Sequence, residues 1–274
     1  MPQRIPLFLI PCLLLLIPVF LTTAASASVR PEQKAGIGPD AAPDQAINGR
    51  VEDVLVRTRE RFKAVFGIVF DVQSIIEPSD DDFDLRLTRP ASAISTDNNS
   101  VLTINSRVVR NYPDEDLQIT AARCLYPLIW EKYRKPAKAA NALVERMYFE
   151  GMTAFAAELL YPGSPQWKYA GIMSPRGKMM YEVYLAREQD LATAVLQALE
   201  AGSGSELIGE LFPKDGAYRS AWPAGSGPLI SYRTIKTFHR DIDPKMIQLM
   251  DYAEFLQRLP KGLQRLKSGQ ASGR

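Results

Sequence analysis

The chain has 274 residues, 46% hydrophobic and 23% charged, with a formal net charge of +2. That suits one globular domain of ordinary size with terminal extensions, and it excludes the strong field that recruits nucleic acid or an anionic membrane surface. There are two cysteines and a single histidine, His239. A zinc site with two or three histidines cannot be built from one such chain, and with Cys12 in the leader, Cys124 has no disulfide partner within the monomer.

Residues 1–27 carry the pattern of an export signal. Arg4 precedes an apolar run from Leu7 to Leu21, and Ala25-Ser26-Ala27 is a small-residue cleavage pattern. The run is short for a membrane span and is broken by Pro11 and Pro18. Cleavage and export to the periplasm or the cell exterior are therefore expected, with membrane contact only through the leader if it is retained. Residues 28–48, SVRPEQKAGIGPDAAPDQAIN, lack periodicity and read as a flexible linker, with order beginning near Gly49.

The segment RVEDVLVRTRERFKAVFG sets Val51, Val54, Leu55, Phe62 and Val65 at helical intervals, and Gly67 suits the helix end. Three β-like runs follow, IVFDVQSII, LRLTR and SVLTINSRVV, with turn signals at PSDDDFD and Asp97-Asn98-Asn99. They predict a small sheet over about residues 67–110 with an exposed edge. Asp80, Asp82 and Asp84 open like a calcium loop, but its glycine and closing glutamate are missing, so they read as a solvated loop.

Two helices come next, DEDLQITAARCLYPLIWEKYR and NALVERMYFEGMTAFAAELLY. Asp114 is placed to cap the first, and Leu117, Ala121, Cys124, Leu125 and Leu128 form its apolar face. The second is apolar nearly all round, which predicts burial on several sides. Glu150 stands in its middle, and a buried carboxylate needs a cation, a metal or hydrogen-bond donors.

Downstream, GKMMYEVYLAREQD and LATAVLQALEAGSGS read as helices, the latter ending at Gly202, and ELIGELFPKDGAY as a short helix and turn. A helix with Leu229, Tyr232, Ile235 and Phe238 ends at His239, where a protonated imidazole would suit the dipole. Asp243-Pro244 is a helix start, Asp251 with Glu254 resembles a capping box, and Pro260 is expected to stop the last helix. Residues 263–274 read as a mobile basic tail, leaving 49–262 as the domain.

The order of edge-like strand, helix, loop, helix with YFEGMTAFAAELL, then YPGSPQW resembles the predicted zinc-dependent protease family DUF2268, of the HExxH zincin group. In that family a His-Glu-x-x-His helix is followed by a helix whose E-G-L-A-x-Y-F-like motif supplies the third metal ligand. Here Glu150-Gly151-Met152-Thr153-Ala154-Phe155 is similar to the later motif. GPLISYRTIKTF resembles the family's G-Y-x-x-G-Y-R-I-like helix at Tyr232, Arg233 and Ile235, and departs from it at Pro228 and Ser231. The resemblance covers about residues 95–258 and implies an α+β, zincin-like fold, a small β-sheet packed on a mostly helical domain.

In the aligned metal helix, Ala122, Arg123 and Tyr126 stand at the His, Glu and His positions. The resemblance thus implies a vestigial site of Ala122, Arg123, Tyr126, Glu150, Tyr232 and Arg233, with no catalytic residue, no metal and no cofactor. The expectation is an exported, non-catalytic pseudoprotease. Its partner would be an unknown protein or peptide, added as a strand beside the sheet edge, and not nucleic acid. The alternative is a metallopeptidase or other hydrolase that keeps activity through unusual residues. One version uses Glu150 with Tyr126 and a partner chain, another Cys124 approached by His239 through the fold, although Cys124 falls on the apolar side of its helix and reads as a structural thiol. Arg123 reverses the charge of the old motif. Its guanidinium is expected to hold Glu150 by a charge-assisted, bidentate pair, with Tyr126 as a further donor and Arg146, four residues before Glu150, as the rival cation.

Overall fold

Helix α1 (Ala41–Phe66) buries Val51, Val54, Leu55, Thr58 and Phe62 along one face, and Gly67, at φ 67°, ends it. Val65 stays 37% exposed, and Phe66 packs on the core instead. The computed structural model describes residues 41–69, 72–80, 85–88, 101–130, 141–173, 176–213 and 221–270. The expected leader and most of the expected linker lie outside them. The linker boundary is nevertheless corrected: α1 begins before Gly49, because Ile47 extends the Val51–Leu55 face at four-residue spacing and is itself buried.

The sheet has three strands, β1 (Gln73–Glu77), β2 (Leu85–Thr88) and β3 (Val101–Asn105). β3 is central, parallel to β1 and antiparallel to β2, and buries Leu102 and Ile104. It stops at Asn105 and does not run on through Val109. The Asn105 carboxamide accepts from Arg107 N (3.1 Å) and Ser79 N (3.2 Å) and donates to Ser79 O (3.1 Å), which starts the short helix α2 (Ser106–Val109). Of the expected acidic loop only Asp80 is described, paired with Arg107.

The remainder is helical: α3 (Asp114–Ile129), α4 (Ala142–Leu160), α5 (Gln166–Tyr169), α6 (Gly177–Glu200), α7 (Gly204–Leu211), α8 (Ser226–Phe238), α9 (Pro244–Ile247) and α10 (Tyr252–Lys267). The protein is therefore α+β and mostly helical, with β2 lying against α3. Among the described residues no helix is long and apolar enough to cross a membrane. Asp114 is the first residue of α3 rather than its cap, and its carboxylate pairs with Arg50 at 2.6 Å. Asn141 caps α4, accepting from Leu143 N at 2.9 Å.

α4 is the axis of the domain, packed against α1, α3, α7 and α8. Its closest approach is to α8. A Cβ on Gly151 would lie 2.8 Å from the Ser231 carbonyl oxygen and 2.7 Å from Ile235 Cδ1, so only glycine lets the two helices meet there. α6 is one helix, not two. It closes on Gly202, whose positive φ lets Ser203 N reach Ala198 O at 3.0 Å.

Pro260 does not stop α10. Phe255, Leu259, Leu263 and Leu266 continue one buried face across it, and Arg265 fastens the last turn to Thr237 O (2.8 Å) and Asp241 (2.7 Å). Burying Leu263 and Leu266 outweighs the cost of about 3 kcal/mol for proline in a helix interior. The expected tail is thus part of the fold up to Lys267. Leu263→Ala should lower unfolding stability by about 2–5 kcal/mol in urea titration; an unchanged midpoint would mean that these turns do not dock.

Candidate functional site

Glu150 sits mid-helix on α4, with its side chain 9% exposed. Two arginines bracket it. Arg146, one turn earlier on α4, places Nη2 2.6 Å from Oε1, and Arg123 on α3 places Nη2 3.5 Å from Oε2. The expected bridge between helices is present, but with a single nitrogen at the long limit of a hydrogen bond, and the rival cation makes the shorter contact. Arg146 is 47% exposed and Arg123 only 18%, so the longer contact is the less screened. Arg123 Nη1 also donates to Tyr169 O, and its guanidinium lies against Gly171, where a Cβ would be 3.0 Å from it. One side chain thus ties α3, α4 and the turn after α5 together.

None of the remaining members of the expected vestigial site is hydrogen-bonded to Glu150 among the described residues. Ala122 is core, and Tyr126 is 1% exposed. Among the described residues no hydrogen bond from Tyr126 reaches Glu150, whose second oxygen Arg146 has taken. Tyr232 and Arg233 are consecutive on α8 and face different surroundings. Tyr232 is fully buried near Tyr169, its phenol pushed up by burial and by the charge of Glu158. Glu158 is held by Lys236 at 2.7 Å.

Arg233 makes the side-on pair that Arg123 lacks. Its Nε and Nη2 donate to the two oxygens of Glu188 at 2.8 and 3.1 Å, and its Nη1 donates to Gln166 Oε1 at 3.1 Å. Burial alone would pull the guanidinium down, but the hydrogen bonds and charge of Glu188 more than offset it, and the group sits above its usual value. Tyr184 donates to Glu188 Oε1 at 2.9 Å, and Tyr181 to Gln166 Oε1 at 2.9 Å. Sequence reasoning missed Glu188, Gln166, Trp167 and Tyr181. The available signal was the one used for Glu150, a lone carboxylate on an apolar helix face, here Tyr184, Glu188, Leu191 and Val195 of α6.

This network floors a cleft of about 660 Å³, also lined by Trp167, Lys178 and Glu182. Trp167 and Tyr181 meet there at 5.6 Å between ring centroids. A smaller hollow of about 330 Å³ lies beside Arg146, among Trp130, Phe149 and Ile208.

The zinc implied by the resemblance does not fit these residues. Both Glu150 oxygens face guanidinium groups, Ala122 offers no donor, and among the described residues no three His, Cys, Asp or Glu side chains converge. Cys124 is half-buried. His239 is half-buried at the end of α8, edge-on to Phe155 at 5.2 Å. Burial and then Lys236 push its imidazole below the ordinary value, against Glu158 and Asp243, so the helix end favours the neutral ring over the expected cation.

The geometry thus defines a mostly helical α+β domain in which, among the described residues, the two most buried carboxylates, Glu150 and Glu188, are each matched by arginine, and Glu188 borders an aromatic-lined cleft. No family model matches the chain, and neither a curated protein nor a solved structure matches it.

Removing Arg123 leaves Glu150 only the more exposed Arg146, and removing Glu150 leaves the Arg123 guanidinium without its carboxylate. Arg123→Met should cost on the order of 3 kcal/mol, and the double change Arg123→Met with Glu150→Leu clearly less, as measured by chemical denaturation. Equal losses in the single and double variants would mean that the charges are not coupled. The histidine gives a pH test. Its folded-state pKa lies below its unfolded value near 6.5, so its contribution is complete above that pH and is lost as pH falls below it. The melting temperature should therefore decline below about pH 6.5, and His239→Gln should flatten that decline.

Proposed function

We propose that this chain is an exported, non-catalytic binding protein whose domain descends from a zincin-like protease fold and has lost its metal site. The bracketing of Glu150 by Arg123 and Arg146 carries the reading. A carboxylate with cations on both oxygens is a poor metal ligand, because its lone pairs are already committed to the guanidinium groups. Two guanidinium groups supply the positive charge that a divalent cation gives in the active family. Gly151 supports descent: the E-G pair serves packing as well as chemistry, since the glycine admits α8, and that requirement outlasts the metal. The apolar leader over residues 1–27 supports export.

Protein purified from the cell envelope should contain no stoichiometric zinc by elemental analysis, should leave casein and short peptides uncut, and should begin after Ala27 by N-terminal sequencing. One zinc per chain together with peptidase activity would overturn the reading.

A further inference from the structure

We infer that the cleft bounded by α5, α6 and α8 is a peptide site that takes a proline-rich segment in the polyproline II conformation. This rests on the non-catalytic binding reading and gives it a site and a ligand class. The argument turns on which hydrogen-bonding groups the cleft has left over.

Gln166 Oε1 accepts from both Arg233 Nη1 (3.1 Å) and Tyr181 Oη (2.9 Å). A guanidinium can only donate, so the orientation of the carboxamide is settled, and its two N–H groups, unbonded among the described residues, are available to the cleft. Arg233 spends three of its five N–H donors on Glu188 and Gln166, and it also reaches the Tyr181 hydroxyl. Glu188 already accepts three bonds, from Arg233 twice and from Tyr184. The floor therefore offers the Gln166 amide N–H groups as open donors, its own acceptors are largely engaged, and the Arg233–Glu188 pairing leaves it nearly neutral. Such a floor suits a neutral ligand that presents acceptors without donors.

A polyproline II segment has that character. Proline has no N–H, the helix makes no internal hydrogen bonds, and its carbonyls stand free. Its rings need an aromatic groove, and here Trp167 and Tyr181 supply one. The indole is fixed in advance: a Cβ on Gly177 would fall 2.7 Å from Trp167 Cδ1, so the ring sits directly on the α6 backbone. Preformed aromatic walls and a pre-extended ligand both reduce the ordering cost of binding. A sugar fits less well, because its hydroxyls must donate as well as accept, and the buried acceptors of the floor are largely engaged, Gln166 Oε1 by two bonds and Glu188 by three.

The test is calorimetric titration of the purified chain with decaproline, a glycine-serine peptide of equal length, and maltotriose. Decaproline should bind saturably and the other two should not. Gln166→Glu keeps the acceptor for Arg233 and Tyr181 but removes the two amide donors; it should weaken binding about tenfold or more with the melting temperature little changed. Trp167→Ala should abolish binding, and Gln166→Glu keeps the test decisive should that variant not fold. Decaproline binding unaffected by Gln166→Glu, binding of maltotriose instead, or no binding of decaproline by folded metal-free protein would each overturn the assignment. The last result would leave the non-catalytic reading standing, since that reading is decided by zinc content and peptidase activity.

Discussion

Charge buried on central helices is the constraint on which this structure depends. α4 is enclosed by α1, α3, α7 and α8, and it carries Glu150 at its middle. Taking a carboxylate out of water costs several kcal/mol unless the geometry returns it. Here the return comes from two guanidinium groups on different elements, one screened by solvent and one not. Because Arg123 also holds the Tyr169 carbonyl and lies flat on Gly171, neutralising Glu150 fixes where α3 and the α5 turn stand relative to α4. A charge requirement thereby becomes a positional one.

The same logic recurs on the other side of α8. Glu188 on α6 is buried to a similar degree and is satisfied more completely, by the side-on pair from Arg233 and by Tyr184. Three accepted bonds occupy most of the lone-pair positions of that carboxylate. The neighbouring Gln166 accepts from Arg233 and Tyr181 and keeps its amide N–H groups unbonded among the described residues. The burial that commits both carboxylates to arginine thus also shapes the floor of the cleft.

Close packing explains which small residues the arrangement tolerates. Gly151 admits α8 against α4, Gly177 seats Trp167, and a Cβ on Gly262 would lie 2.7 Å from Phe238. Each lies where two elements approach more closely than a side chain allows, so the helix-propensity cost of glycine, about 1 kcal/mol, is outweighed by the contact it makes possible.

By itself the sequence determined what local periodicity and local capping control. Most of the longer helices, the burial of α4 on several sides, the small sheet, the Asp243-Pro244 start of α9 and the Asp251 cap of α10 were legible because each depends on residues a few positions apart. Glu150 was legible as a charge in need of a partner, and Arg123 and Arg146 as the two candidates. Only the tertiary structure decided how they share it, since the division depends on helix spacing and exposure, which no pattern of residues encodes. The same holds for the ends: Ile47 and Leu263 look dispensable in a window of polar residues, and become core because distant helices present surfaces to them. His239 reversed for that reason as well. Its place at a helix end favours a proton, but the three-dimensional neighbourhood of Phe155 and Lys236 favours its loss. Gln166, Glu188 and Arg233 are scattered over α5, α6 and α8, and desolvation and hydrogen bonding make one network of them only once those helices are packed.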